Sequence, residues 1–518
     1  MKTLSLGRQE FSNLINENLV YVDKTADIFR LITEGRCYFL SRPRRFGKSL
    51  LVNTLKEIFL GNKHYFKDLW IEHKIDWQQY PIIKLDMSAL SYKDRPLSIA
   101  LEERLQMCAD SYGLTLANAG CKVMFENLIL ALYKQTQKQV VILVDEYDKP
   151  IIDYLDDIPQ AEANRDTLKN LYSVLKPADK YLKFVFLTGV AKFAKVSIFS
   201  DLNHLTDISL SEKYSKMLGY TQQELEYYFA DRIENLQAKF NFTSIELLEQ
   251  IKLRYNGYSW TGKTDETVYN PFSILSFFEI EKFDNFWFAT GTPTFLTKIL
   301  HNKFKFELKD IEVSSISFDT NSLRTFDDIA LLFQTGYLTI TKDLGFGMYQ
   351  LNYPNLEVRN SMMQFMLADF SQNHVGHIQP VIYRLYKSLL PEEPDFEEFF
   401  ENIKTLFATI PYPIFIENSE KYYHSVIFLT LSLLDYFTQA EVMHNKGRLD
   451  VVVHLPTKIV IMEFKLNQTA QIALQQIKDK GYANPFLKTG KTVYLVGVNM
   501  EAEQKNITEY LVETVHLP

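Results

Sequence analysis

The chain has 518 residues, long enough for three or four domains at roughly 100–200 residues each. Its composition, 46% apolar and 23% charged with only 19 Gly and 17 Pro, excludes a disordered scaffold and collagen-like or linker-rich architectures. With 56 Lys+Arg against 64 Asp+Glu the formal charge is −8, which excludes a broad basic nucleic-acid coat and confines any such contact to a local patch.

Cys37, Cys108 and Cys121 are widely spaced and odd in number. They form neither a metal-binding spacing nor a disulfide framework, which suits a reduced, cytoplasmic setting. The N-terminal MKTLSLGRQEFSNLINEN lacks the apolar stretch of a secretory signal. No run reaches the ~18 apolar residues of a membrane helix. The longest, Val426–Leu434, reads as a buried helix, so no membrane contact is expected.

From about Tyr38 to Leu210 short apolar runs alternate with helical patterns. The runs are CYFL (37–40), PIIKLDM (81–87), VVILVDEYD (140–148) and FVFLTG (184–189). Continuous apolar strands separated by helices predict a parallel sheet covered on both faces. Residues 211–410 read as mostly helical, as in TQQELEYYFADRIENLQAKF. A hairpin is predicted in GYLTITKDLGFGMYQLNYP (336–354), where Gly345 and Gly347 signal the turn. LLPEEPDFEE (389–398) reads as a surface connection. The last zone predicts a helix at EKYYHSVIFLTLSLLDYF, strands at GRLDVVVHL and KIVIMEFKL, a helix at TAQIALQQIKDKGY and a last strand at TVYLVGV.

Residues 42–49, Arg42-Pro43-Arg44-Arg45-Phe46-Gly47-Lys48-Ser49, lie between the strand CYFL and a helical run. A phosphate loop needs that setting. Backbone N–H groups wrap the phosphates, a helix N-terminus faces them, a Lys reaches the outer phosphates and a Ser hydroxyl binds Mg²⁺. Gly47, Lys48 and Ser49 supply the second half of G-x-x-x-x-G-K-[ST], but Arg42 stands in place of the first glycine. About a hundred residues on, an apolar strand ends in Asp145-Glu146. In a nucleotide hydrolase such an Asp holds the Mg²⁺ shell and such a Glu polarises the attacking water. Thr188, at the tip of FVFLTG, suits a sensor of the γ-phosphate. Solvated charge capping a strand is the competing explanation for the two acids. Arg36, Arg42, Arg44, Arg45 and Lys48 form a cationic run with no acid between them, suited to neutralising a triphosphate. Whether Arg44 and Arg45 instead serve a neighbouring copy as arginine fingers stays open, and with it homo-oligomerisation.

These segments, with YVDKT (21–25), SRPRRFGKS (41–49), LVDEYDKP (143–150), LTGVAKF (187–193) and SIFSDLNHLTDISL (197–210), resemble the AAA-ATPase-like family of bacterial proteins. RYNGYSW (254–260), VYNPFSIL (268–275), FWFATGTP (286–293) and FQTGYLTI (333–340) extend the likeness over nearly the whole chain. An Arg opening the phosphate loop is usual in that family. The resemblance implies an N-terminal P-loop NTPase core (1–210) that binds ATP and Mg²⁺, a helical lid (211–290) and a middle region with a winged-helix-like module (291–410). It also implies a C-terminal nuclease-like domain (411–518) and, by analogy alone, a setting in defence or mobile-element biology.

GRLDVVVHLPTKIVIMEFKL carries Asp450, twelve intervening residues, then Glu463-Phe464-Lys465. Glu463 and Lys465 are two apart on one strand and share a face. Two carboxylates on paired strands hold Mg²⁺ while a lysine orients or deprotonates a water for attack on a phosphodiester. The spacing resembles the PD-(D/E)xK nuclease fold. Glu420, a turn before His424 on the preceding helix, would complete the metal site. Glu441 sits before the Gly447-Arg448 turn, and Gln476 and Tyr482 follow in the helix where that superfamily often places phosphate-proximal residues. Nucleic acid, DNA ahead of RNA, is the expected partner. The predicted class is therefore a multidomain α/β ATPase–nuclease fusion. A nucleotide-dependent switch with an inactive nuclease-like platform is the alternative. His204, Tyr255, Asn256, Tyr258, Trp77, Trp260 and Trp287 read as structural residues.

Overall fold

A computed structural model describes residues 1–192, 204–287, 308, 310–318, 328–370, 375–408, 420–436, 442–444, 450–487 and 489–515. The chain divides into two compact units, one built on Met1–Phe295 with Leu308–Val358, the other on Arg359–Pro518.

The first unit opens with α1 (Phe11–Asn16) and α2 (Thr25–Glu34), then alternates strands and helices: β1 (Cys37–Ser41), α3 (Lys48–Phe59), β2 (Ile82–Asp86), α4 (Leu97–Ser111), α5 (Cys121–Thr136), β3 (Val140–Asp145), α6 (Lys149–Ile152), α7 (Ile158–Tyr172), β4 (Leu182–Gly189) and β5 (Thr206–Asp207). The strands form one parallel sheet in the order β2-β3-β4-β1-β5. Every residue of β1 and β3 is buried, as their unbroken apolar runs require of strands covered on both faces. β4 lies between β1 and β3, so the two loops of interest leave strands that are not neighbours.

Among the described residues α8 (Gln222–Tyr228), α9 (Ala230–Phe240), α10 (Ser244–Tyr255) and α11 (Pro271–Ile280) follow. Thr221 with Glu224 and Thr243 with Glu246 close capping boxes that start α8 and α10. The abundant phenylalanines fill this layer's core, where Phe229 stacks on Phe278 and Phe277 on Phe283. The same core takes in Val20 and Val22 of the N-terminal segment. Lys24 ties that segment down through Glu224 (2.7 Å) and the Lys216 carbonyl (2.9 Å).

β6 (Ile311–Ser314), α12 (Asp328–Thr335), β7 (Thr339–Gly345) and β8 (Met348–Asn352) complete the unit, with an antiparallel sheet in the order β6-β8-β7. The predicted hairpin is β7–β8, and Gly345 and Gly347 take positive φ at its turn. α13 (Leu356–Phe370) spans the division between the units.

The second unit contains α14 (Val375–Leu389), α15 (Phe396–Ala408), α16 (Glu420–Ser432), β9 (Val442–His444), β10 (Asp450–His454), β11 (Lys458–Leu466), α17 (Ala470–Asp479), β12 (Thr492–Glu501) and β13 (Asn506–Val515). Its mixed sheet runs β13-β12-β11-β10-β9. α17 covers one face through Leu474 and Ile477 on Ile459, Ile461, Val493 and Leu495. β13 extends beyond the last strand expected at TVYLVGV; it is mostly part-buried or exposed, which hides it from a search for continuous apolar runs. The apolar run 426–434 is the buried helix expected of it, and no described helix is long and apolar enough to cross a membrane.

Candidate nucleotide loop and nuclease-like centre

The phosphate-loop sequence leaves β1 and enters α3 through Gly47, which caps the helix at φ +88°. Arg45 also adopts positive φ, +67°, a conformation that costs a non-glycine residue. The Lys48 ammonium is buried and donates to the carbonyls of Arg42 (2.9 Å) and Pro43 (2.8 Å). Burial lowers its pKa, while Asp145 and Glu146 act in the other direction.

Asp145 ends β3, and the nearby Ser49 side chain lowers its carboxyl pKa. The Lys of the loop, its Ser and the strand-end Asp therefore converge although they come from two non-adjacent strands. Burial raises the Asp145 pKa, and Ser49 and Lys48 offset this. Glu146 follows at φ +50°, half-buried, its carboxyl also raised by burial. A non-glycine residue held there is strained, as residues at reactive sites often are. Donor, acceptor and helix N-terminus together fit a Mg²⁺-bound polyphosphate in chemistry and charge.

Two of the predicted roles are corrected. Arg42 is 1% exposed, and its guanidinium donates to the carbonyls of Ser41 (2.9 Å), Ser209 (2.6 Å) and Tyr214 (3.4 Å). It lies over the Trp260 ring at 4.2 Å, and burial lowers its pKa to about 9. Its side chain anchors the base of the loop instead of neutralising a phosphate. Thr188 is fully buried and donates to the Leu40 carbonyl (2.8 Å), so it braces β4 against β1 and is not free as a γ-phosphate sensor. Of the remaining cations, Arg36 pairs with Asp179 on the surface (3.3 Å), and Arg45 lies over the Phe272 ring at 3.8 Å. Arg44 is exposed.

In the second unit Asp450 lies directly opposite Glu463 across β10 and β11. Glu463 is 1% exposed. One of its oxygens, Oε1, faces the Lys465 ammonium (3.0 Å) and the Gln476 side-chain amide from α17. The other, Oε2, is buried with no hydrogen-bond partner among the described residues. A buried carboxylate oxygen left unpaired is costly, and a cation there would satisfy it, so this centre fits a divalent metal. Gly497 sits beside Glu463 on β12 and lets α17 approach. A Cβ at Gly497 would come within 2.2 Å of the Ala470 carbonyl. The side chains of Glu420, His424 and Asp450 lie outside the described residues, as do Glu441 and the Gly447-Arg448 turn. No cluster of three or more His, Cys, Asp or Glu suited to a metal occurs among the described residues.

Sequence reasoning missed three contributors. Asp86 ends β2 in register with Asp145, and an apolar run closing on an acid was its signal. Asp148 accepts from the backbone of Val190 (2.9 Å) and Ala191 (2.6 Å), tying the acidic loop to the exit of β4. Gly497 carried no local signal at all.

A family model for predicted AAA-ATPases matches residues 5–199, and one for the PD-(D/E)XK nuclease superfamily matches residues 418–510. Over 532 residues the chain is 35% identical to an uncharacterized protein in the vnfD 5′ region of Azotobacter chroococcum mcd 1, covering 99% of each. These matches suggest nucleotide and divalent-metal use in general terms, and nucleic acid as the substrate of the second unit. The chain belongs to the AAA-ATPase-like family, in the form that carries a C-terminal PD-(D/E)XK nuclease-superfamily domain.

Proposed function

We propose that the protein is an ATP-binding, Mg²⁺-dependent ATPase coupled to a C-terminal domain that cleaves nucleic acid, DNA in preference to RNA. The observation behind this reading is that each half closes on its own acid. Ser49 and Lys48 both act on the Asp145 carboxyl in the first unit, and Lys465 and Gln476 bond Glu463 in the second.

In the ATPase, the backbone of residues 44–49 and the Lys48 ammonium bind the phosphates, and Ser49 and Asp145 hold the metal. Glu146 accepts the proton of the attacking water, a task that its raised pKa suits. An apolar pocket beside Gly47, lined by Tyr21, Val22, Leu50 and Tyr220, takes the base. In the nuclease, Asp450 and Glu463, with Glu420, hold the metal, which when bound stabilises charge on the scissile phosphate. Lys465 orients the water, and Gln476 keeps the Glu463 carboxylate in place. Domain limits follow the same reading: core 1–210, lid 211–290, middle 291–410 and nuclease 411–518. The setting is cytoplasmic, in defence or mobile-element biology.

The test is Mg²⁺-dependent cleavage of DNA and RNA substrates by the intact protein, Asp450→Ala and Lys465→Ala, with ATP present. Cleavage by wild type alone supports the nuclease. Equal inertness of all three across single- and double-stranded substrates overturns it. ATP affinity unchanged in Lys48→Ala removes the phosphate-loop assignment.

A further inference from the structure

α12 stands immediately before the β7–β8 hairpin, where the winged-helix-like expectation for this region would put a helix for a nucleic-acid groove. Its sequence, DIALLFQT, carries no basic side chain, and every residue from Ala330 to Gly336 is buried. Reading nucleic acid needs exposed cations and polar groups, so this helix has another partner.

Two contacts identify that partner as the parallel-sheet core. The Gln334 side chain accepts from the Lys192 backbone N–H (2.8 Å) and donates to the Phe318 carbonyl (2.6 Å). Gly336, at φ +92°, lies so close to the phosphate loop that a Cβ there would be 2.7 Å from Pro43 Cβ. Both contacts continue into the proposed catalytic loops. The Lys48 ammonium holds the Pro43 carbonyl, on the residue that Gly336 touches. Asp148 holds the backbone of Val190 and Ala191, immediately before Lys192.

We propose that Gln334 and Gly336 are positioning residues of the nucleotide site, through which α12 reads the occupancy of the phosphate loop. This rests on the nucleotide reading above. A phosphate that draws Lys48 away from the Arg42 and Pro43 carbonyls releases the loop beneath Gly336. A close-packed contact passes such a shift on because it has no slack to absorb it. The coupling is reciprocal: α12 docking changes nucleotide affinity by the factor by which nucleotide changes docking.

Hydrogen exchange on the intact protein, with and without Mg·ATPγS, tests this together with nucleotide affinity. Wild type is expected to change exchange both in residues 42–52 and in residues 328–338. Gln334→Leu, which loses both hydrogen bonds, is expected to keep the response at 42–52, lose it at 328–338, and bind nucleotide about tenfold more weakly. Gln334→Glu, which keeps the acceptor for Lys192, is expected to restore part of both. A wild-type response confined to 42–52 overturns the coupling while leaving the nucleotide reading intact. No response at either segment overturns both. Should Gln334→Leu fail to fold, the wild-type comparison decides alone.

Discussion

Gly497→Ala adds one methyl group at the point where α17 lies closest to β12. The new Cβ would stand 2.2 Å from the Ala470 carbonyl oxygen, 2.6 Å from the Leu474 nitrogen and 2.9 Å from Leu474 Cβ. Two of these neighbours are backbone atoms of α17 or its first turn, so no side-chain rotation relieves the conflict. The helix must move out by about 1 Å to restore ordinary contact in a close-packed core. Overpacking of this kind costs about 1–3 kcal/mol. The shift also carries Gln476 away from Glu463, and losing a hydrogen bond to a charged group adds about 1.5–3 kcal/mol. At roughly 2–4 °C per kcal/mol for a unit of this size, the second unit's melting transition should fall by about 5 °C or more. Gly376→Ala is the matched control. That glycine lies in α14 with open space around its Cβ position, so alanine there should stabilise by about 0.5–1 kcal/mol. Calorimetry of the intact variants, followed by the cleavage assay, reads both effects. A displacement of 1 Å at a reactive centre costs up to about 100-fold in rate. If Gly497→Ala melts with wild type and cleaves as wild type does, the close approach of α17 does not position Gln476, and the reasoning fails.

Lys48→Ala should weaken ATP binding by about 100-fold or more, since it removes the buried ammonium proposed to leave the Arg42 and Pro43 carbonyls for the phosphates; fluorescence of Trp260, whose ring lies 5.7 Å from that of Phe46, reports the titration. Lys465→Ala should reduce cleavage by about 10²–10⁴-fold yet keep a Mg²⁺-dependent thermal shift, because Oε2 of Glu463, which has no hydrogen-bond partner among the described residues, is retained; loss of the shift would make Lys465 a structural partner only. Glu357 is buried, accepts from Trp287 N (2.8 Å) and Ser273 Oγ (2.7 Å), and has its pKa raised from 4.5 to about 7, first by burial. The folded protein therefore holds a proton that the unfolded chain has lost between those two values, and stability falls as pH rises through that window. Urea unfolding at about pH 5 and about pH 8 should show a loss on the order of 3 kcal/mol that Glu357→Gln flattens; an equal slope in the variant would refute it.

Much of the molecule was legible in local sequence because the signals are local. Buried parallel strands must be continuously apolar, so β1 to β4 stood out. A loop that binds phosphate must join a strand to a helix N-terminus, so residues 42–49 stood out despite Arg42. Period-two alternation put Glu463 and Lys465 on one face of β11 before any register was known.

What local sequence did not carry is pairing across distance. Charge alone put Arg42 with the phosphate-facing cations, yet its guanidinium turns to the carbonyls of Ser209 and Tyr214, which come from elsewhere in the chain. Thr188 looked like a sensor at a strand tip until the strand order put β4 against β1 and engaged its hydroxyl with Leu40. Gly497 and Gly336 matter only because another backbone lies within a methyl group's reach of each. Composition and periodicity determined which segments are strands, helices and acidic or cationic loops, since each of those follows from a residue's immediate neighbours. Tertiary structure alone decided which charges are buried, which partners each carboxylate oxygen faces, and which helix touches the phosphate loop. Each of those depends on what the rest of the chain brings within a few ångströms.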